Sequence, residues 1–184
     1  MSTWNSALLD QITFLWDFVF IPRLEGIPDD EYRWEPVDGC WSVRPVAAGQ
    51  WVQDGIGVPD PEPPPFTTIA WRMAHITTIF GERASNHFGD GSFDPSTLAW
   101  DGTASTATGL MTAEYQRWGE GVRSLGEDGL FRPCGPAEGP FADNPFRDLV
   151  LHINREFCSH SAEVALLRDL YRDAVVSRKG IRRP

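Results

Sequence analysis

The sequence predicts an all-α protein, an antiparallel four-helix bundle with long loops, and three observations carry that prediction. Four segments place apolar residues three and four apart, which is the helical period. No segment alternates apolar and polar residues as a half-buried strand would, and the stretches between the four are rich in proline and glycine. At 184 residues, 41% of them hydrophobic, the chain suits one domain spanning 1–184 and is short for two.

The first segment, from about Trp4 to Arg23, sets Leu8, Ile12, Leu15, Trp16 and Val19 on one stripe before Gly26 and Pro28 stop it. The second begins at Thr67 or Thr68, either of which can cap it. It carries Ile69, Met73, Ile76, Ile79 and Phe80 on one face up to about Phe88. The third spans roughly Thr106 to Leu125 with Leu110, Met111, Tyr115, Trp118 and Val122, and Gly109, Gly119 and Gly121 weaken it. The fourth opens on Asn144 and Pro145, an N-cap followed by proline at the first helical position, and continues to about Arg172.

The connection from about Glu25 to Phe66 is long for a bundle, where roughly 2 to 8 residues is usual. It holds a helical turn at Pro28 to Tyr32, the stretch Gly39-Cys40-Trp41-Ser42-Val43-Arg44-Pro45, and a stiff proline-rich run from Pro59 to Pro65. Trp41 and Trp51 are expected to pack back over the bundle end and anchor this loop.

Charge and composition exclude several functions. With 26 acidic against 16 basic side chains the formal charge is -10, so nucleic acid and anionic membrane surfaces are repelled at long range. The longest apolar run, Ile12 to Ile21, is broken by Asp17 and falls short of the roughly 20 residues a membrane-spanning helix needs. Neither a signal-peptide pattern nor a CxxC pair is present. Cys40, Cys134 and Cys158 read as separate thiols in a reducing compartment, so a cytoplasmic location is expected. Lys179 is the sole lysine, which with eight tryptophans and fifteen prolines has the flavour of a GC-rich genome.

The fourth segment carries the chemistry. On a wheel with about 100° per residue, Leu149, Ile153, Val164, Leu167 and Leu170 share an arc, while Arg155, Asp169 and Arg172 lie opposite in solvent. His152, Glu156, His160 and Glu163 fall on the apolar arc, where a purely structural bundle would use leucine or alanine. A buried unpaired carboxylate costs several kcal/mol, so these groups must pair or coordinate. Glu156 and His160 are one turn apart and can converge on one ion, and His75 of the second segment completes a His, Glu, His set with a position left for water or substrate. Taken singly, His75 is more simply a satisfied core histidine; with Glu156 and His160 converging on it, ligation is favoured.

His152, one turn before Glu156, is read as a partner that orients a ligand, with a fourth ligand or a structural hydrogen bonder as alternatives. Glu163 either holds the other nitrogen of a ligand histidine or pairs with an inward arginine. Arg72 and Arg83 are the candidates to receive an anionic substrate group, with a salt bridge to Glu163 as the competing role. His87 lies about three turns from His75, too far for the same ion, and reads as structural or surface. Cys158 faces away from both Glu156 and His160, which argues against a nucleophile or ligand.

The segments Thr67-Thr68-Ile69-Ala70-Trp71-Arg72-Met73-Ala74-His75-Ile76, His152-Ile153-Asn154-Arg155-Glu156 through His160-Ser161-Ala162-Glu163, Leu167-Arg168-Asp169-Leu170 and Trp41-Ser42-Val43-Arg44-Pro45 touch most of the chain. In them it resembles the DinB-like metal-binding four-helix bundles. That family includes the N-terminal domain of mycothiol-dependent maleylpyruvate isomerase and the bacillithiol transferases. Many members use one histidine of the second helix and a His-xxx-His pair of the last. Glu156 stands in the first place of that pair, as in the isomerase branch, so the resemblance implies His75, Glu156 and His160 as metal ligands.

The resemblance further implies a divalent metal, zinc ahead of nickel, that activates a low-molecular-weight thiol. The GC-rich flavour favours mycothiol. The expected function is a metal-dependent thiol S-transferase or isomerase with a small thiol and a small electrophile as partners. The isomerase's additional C-terminal domain has no counterpart here, so its own reaction is not expected. The alternatives are a non-enzymatic, stress-associated metal-binding bundle, with a homodimer as one arrangement, and a metal-free interaction module in which His75, Glu156, His160 and Arg72 pair among themselves.

Overall fold

The structure is a computed structural model that describes residues 3–59 and 61–178. Asp60 of the proline-rich run and Lys179 lie outside the described residues. The first arm starts at Thr3, which forms a capping box with Ser6, and comprises α1 (Trp4–Phe14), a π-helical stretch (Leu15–Phe20) and α2 (Ile21–Leu24). Among its buried residues Leu8, Ile12, Trp16, Phe20 and Leu24 form a series spaced by four, with Asn5 and Leu9 buried beside it. An α-helix would rotate such a series off its face, whereas the wider π turn, in which Ile21 N–H reaches Trp16 C=O, keeps it in register. This corrects the expected stripe, because Val19 is exposed and Phe20 takes its place in the core. Pro22 lacks the N–H that would return to Phe18, and the widened turn just before it accommodates the ring.

After the short α3 (Asp29–Tyr32) comes a hairpin of β1 (Val43–Pro45) and β2 (Trp51–Gln53), antiparallel with Arg44 opposite Val52. No strand is expected from the sequence, and three residues per strand with a proline in one leave no alternation to read. The hairpin is tied to the helices: Trp41 N–H donates to Phe66 C=O, Thr68 N–H donates to Trp41 C=O, and the indole of Trp71 donates to Asp54 C=O at 2.8 Å. Trp41 packs on Trp71, and Trp51 closes over Gly102, where a Cβ would come within 2.4 Å of its ring. Both tryptophans thus anchor the long loop as expected.

Helix α4 (Ile69–Phe88) is capped by Thr68 and α5 (Ala104–Gly129) by Thr103. Of the three glycines that weaken the third segment, Gly121 has a packing reason, since a Cβ there would meet Phe88 at 2.0 Å. Helix α6 is Phe146–Arg178. It starts just after the expected cap, because Pro133 and Pro145 pair as an isolated bridge and the Asn144 carbonyl accepts from Cys134 N–H.

Contacts along the helices fix their directions. On α5, Tyr115 meets Phe80 and Trp118 meets Phe88, so α4 and α5 run the same way. Helix α6 runs against α4, with Arg72 beside Glu163 and His75 beside His160. It runs along α1, with Asn154 bonded to Leu8 and Asp169 to Arg23. The antiparallel relation therefore holds for α4 with α6 and for α1 with α5, while α1 with α6 and α4 with α5 are parallel pairs. The connection 89–103 can span about 50 Å when extended, more than the roughly 30 Å length of α4, and returns the chain to the end where α4 began. There Ala104 N–H bonds Asp29 of α3. The core they enclose centres on Trp16, stacked on Tyr115 at 3.9 Å, with Phe20, Phe80 and Phe157 around it. Among the described residues no helix is long and apolar enough to cross a membrane.

Candidate metal centre

The face of α6 is graded rather than simply inward. Measured from His152 at about 100° per residue, Glu163, Glu156 and His160 lie near 20°, 40° and 80°, whereas Phe157 and Val150 lie near 140° and 160°. Exposure follows that order: the side chains of His152, Glu163, Glu156 and His160 are 42%, 43%, 31% and 13% exposed, and Phe157 and Val150 are buried. Leu170, on the same radius as His152, is exposed, which corrects its placement on the apolar arc. The titratable residues therefore line the edge of α6 that meets α4, and the centre of the buried face belongs to Ile153, Phe157 and Val164. Carboxylates on such an edge keep part of their hydration, so their cost is smaller than that of full burial.

At this seam His75, Glu156 and His160 come together, each offering one ligand atom within 4.8 Å of the others. His160 Nε2 is 3.4 Å from Glu156 Oε2, and the two imidazoles meet edge to face at 4.7 Å between centroids. Helix α4 turns His75 into the seam, and Trp71, one turn earlier, stacks on it at 5.0 Å, its own indole held by the hairpin. Burial first, then the charges of His160 and Arg72, pushes the His75 pKa down to about 4. The ring is neutral at ordinary pH, the state a ligand requires.

Glu163 lies on the other side of His160, its Oε2 2.7 Å from Nδ1 and 3.0 Å from Arg72 Nε. That contact places the proton of His160 on Nδ1, donated to the carboxylate, and leaves the Nε2 lone pair toward Glu156 and His75. Arg72 NH1 stands 3.3 Å from the same Nδ1. Arg72 is thus engaged with Glu163, the competing role foreseen for it. Arg83 does not reach Glu163: its Nε lies 3.0 Å from Glu138 Oε1, and His87 Nε2 is 2.8 Å from that same oxygen. The His87 side chain is accordingly buried in an ion-paired, structural position. His152 Nδ1 accepts from Arg155 at 2.9 Å and is 3.7 Å from Glu156, outside direct hydrogen-bond reach.

Four participants escaped the sequence reading. Glu138 sits in an irregular turn, Pro136–Phe141, that no periodicity marks. Arg155 leans back toward His152 although its radius points to solvent. Trp71 is one turn before His75, a spacing that could have drawn attention to it. Thr78, three residues after His75, lines a pocket of about 210 Å³ with His75, Glu82, Arg83, His152 and Glu156, and its hydroxyl is buried with no hydrogen-bond partner among the described residues. A polar atom left unpaired beside two imidazoles and a carboxylate fits a site that holds something more than these side chains. Cys158 is exposed, and burial pushes the Cys134 thiol up, with Glu138 and Asp148 adding to it.

The donor set fits a borderline divalent ion, two imidazole nitrogens and one carboxylate with room for a further ligand. No curated protein and no solved structure matches the chain significantly. The sequence profile of the DinB superfamily matches residues 19–164, from the π-helical stretch through Val164 and across all three cluster residues. With its helical bundle and the His-Glu-His cluster at the α4–α6 seam, the chain belongs to the DinB superfamily.

Proposed function

We propose that the protein is a metal-dependent thiol S-transferase or isomerase, in which His75, Glu156 and His160 hold a divalent ion and a small thiol such as mycothiol attacks a small electrophile. The convergence of three donor atoms within 4.8 Å beside an unpaired threonine hydroxyl carries this reading. When bound, the ion supplies a Lewis acid that favours thiolate over thiol near neutral pH. The chain's own residues do the rest. Glu163 keeps the His160 proton on Nδ1, burial keeps His75 neutral, and the Trp71 ring walls the site on one side. The Thr78 hydroxyl is available to a substrate atom in the pocket. Cys158 faces solvent, Cys40 is buried in the long loop, and Cys134, which lines the neighbouring cavity, has a thiol that burial pushes up and so disfavours as a thiolate nucleophile.

Zinc suits this donor set, with nickel as the second candidate. Elemental analysis of the purified chain and of the His160→Ala variant tests the ligand set, with stoichiometric metal expected in the first and lost in the second. Replacing Cys40, Cys134 and Cys158 together by serine tests the nucleophile. Turnover of a model electrophile that tracks metal and added thiol and survives the triple replacement supports the proposal. Turnover that needs Cys158 refutes it, and inactivity with several thiols and a saturated site points instead to a non-enzymatic metal-binding bundle.

A further inference from the structure

The seam between α4 and α6 does not end at the cluster. The pocket beside His75 shares Arg83 and His152 with a second cavity of about 340 Å³, further toward the start of α6. Its apolar wall includes Leu149 and Phe141, and Arg83 and Arg155 stand at its edge with Glu138 and Asp148. Arg83 is ion-paired with Glu138 and Glu82, yet its donors are only partly filled, and Arg155 has no carboxylate among the described residues. Glu138 Oε1 is shared between His87 and Arg83 Nε, and that Nε makes no straight hydrogen bond despite its 3.0 Å approach. Arg83 NH1 has only Glu82 at 3.3 Å. Asp148 leans toward Arg147 at 3.6 Å. Arg155 donates to the imidazole of His152, so among the described residues no carboxylate pairs with its charge.

We propose that this cavity is a subsite for the carboxylate end of an elongated substrate, received by Arg83 and Arg155 over an apolar wall. The proposal rests on the metal-site reading only for the other end of the ligand. A planar carboxylate matches the guanidinium fork and is held more strongly where apolar walls exclude water. Arg83 follows His75 by eight residues, about 12 Å along the helix axis. A two-carbon acid anchored at the cluster is thus too short, and a longer chain is selected. The apolar middle of such a ligand would run past Ile79 and Ile153, which line the connecting pocket.

The test uses the cobalt-loaded protein and two series of thiols of increasing length, ω-mercaptoalkanoates and ω-mercaptoalkanols, with the thiolate-to-cobalt absorption band as the readout. Long acids are expected to bind roughly tenfold or more tightly than alcohols of equal length, an advantage absent in the shortest pair. Arg155→Met, on an exposed side chain whose loss leaves the core intact, should remove most of that advantage, and Arg83→Met should do the same. An acid-to-alcohol ratio near one at every length in the unaltered protein, or an equal weakening of acids and alcohols in both variants, overturns the proposal. If no thiol perturbs the cobalt spectrum, the thiol reading has failed on its own account. The subsite is then judged by octanoate against octanol on the metal-free protein, followed through the His152 ring signals. Saturable, Arg155-dependent octanoate binding supports it, and its absence overturns it.

Discussion

Replacing Glu163 by alanine should weaken metal binding by more than the loss of a remote carboxylate would, because of what remains behind. Two groups compete for Nδ1 of His160: Glu163 Oε2 at 2.7 Å, which can only accept, and Arg72 NH1 at 3.3 Å, which can only donate. With the carboxylate present, the shorter contact wins and the proton sits on Nδ1. Once the carboxylate is gone, the guanidinium donates to Nδ1 and drives the proton to Nε2, the nitrogen that faces Glu156. The ligand lone pair is then pointed away from the ion. Loss of an outer carboxylate typically costs about 10- to 100-fold in affinity, and the tautomer change places Glu163→Ala near the upper figure, about 2.8 kcal/mol at 1.4 kcal/mol per tenfold. Glu163→Gln keeps an acceptor in place without the charge and should lose only about tenfold.

Zinc affinity measured by competition with a chromophoric chelator gives these numbers, and nitrogen shifts of the His160 ring in the metal-free protein report the tautomer directly. The decisive comparison is the double variant. If Arg72 is the cause of the larger loss, adding Arg72→Ala to Glu163→Ala removes the wrong donor and should recover a substantial part of the affinity. Glu163→Ala binding zinc as well as the unaltered protein, or a double variant no better than the single one, would refute the tautomer argument.

Three further outcomes are expected. The folded-state pKa of His75, about 4, lies below its ordinary 6.5, so the unfolded chain binds more protons between those values. In the metal-free protein the contribution of neutral His75 is fully present above about pH 6.5, and up to ~3 kcal/mol of it should be lost as the pH falls toward 4, a slope that urea unfolding would show and that His75→Phe should flatten. Gly121→Ala drives a Cβ into the Phe88 ring and should cost about 1–3 kcal/mol, whereas Gly119→Ala, with open space around it, should stabilise α5 by roughly 0.5–1 kcal/mol; thermal unfolding of the pair separates packing from propensity. Glu31→Gln removes one partner of the Arg168–Glu31 pair, joined at 2.6 Å with both side chains largely buried, and should cost about 3 kcal/mol in denaturant unfolding.

How far the sequence could be read follows the range of each interaction. Helix α4 was legible to within a residue, because its cap and its stripe are local: of the two candidate caps Thr68 accepts from Trp71 N–H, and Ile69, Met73, Ile76 and Phe80 are buried as a period of 3.6 demands. The first arm was legible as a helix but not in its face, since only the π turn explains why Phe20 and not Val19 is buried, and that turn depends on Pro22 together with a series spaced by four. Helix direction was not legible. Whether the connection 89–103 doubles back or crosses over is decided by which ends pack, and sequence spacing allows both. The same limit hid Glu138, whose partners Arg83 and His87 are some fifty residues away.

For the site, the meeting of His75, Glu156 and His160 was readable while its depth was not, and the depth bears on function. An arc drawn from the titratable residues themselves sets them at the centre of the buried face; Phe157, Val150 and Asn154 shift that centre by about a quarter turn or more and leave the cluster on the α4 edge. Buried at the centre, two histidines and a glutamate would need a closed coordination sphere or mutual pairing. On the edge, the hardest group to hydrate, His75, stays neutral against Trp71, while Glu156, 31% exposed, retains contact with water. A site built in this way can hold an ion and still admit a further ligand along the seam. The residues that decide what enters lie further down that seam, on the turns of α4 and α6 that carry Thr78, Arg83, His152 and Arg155.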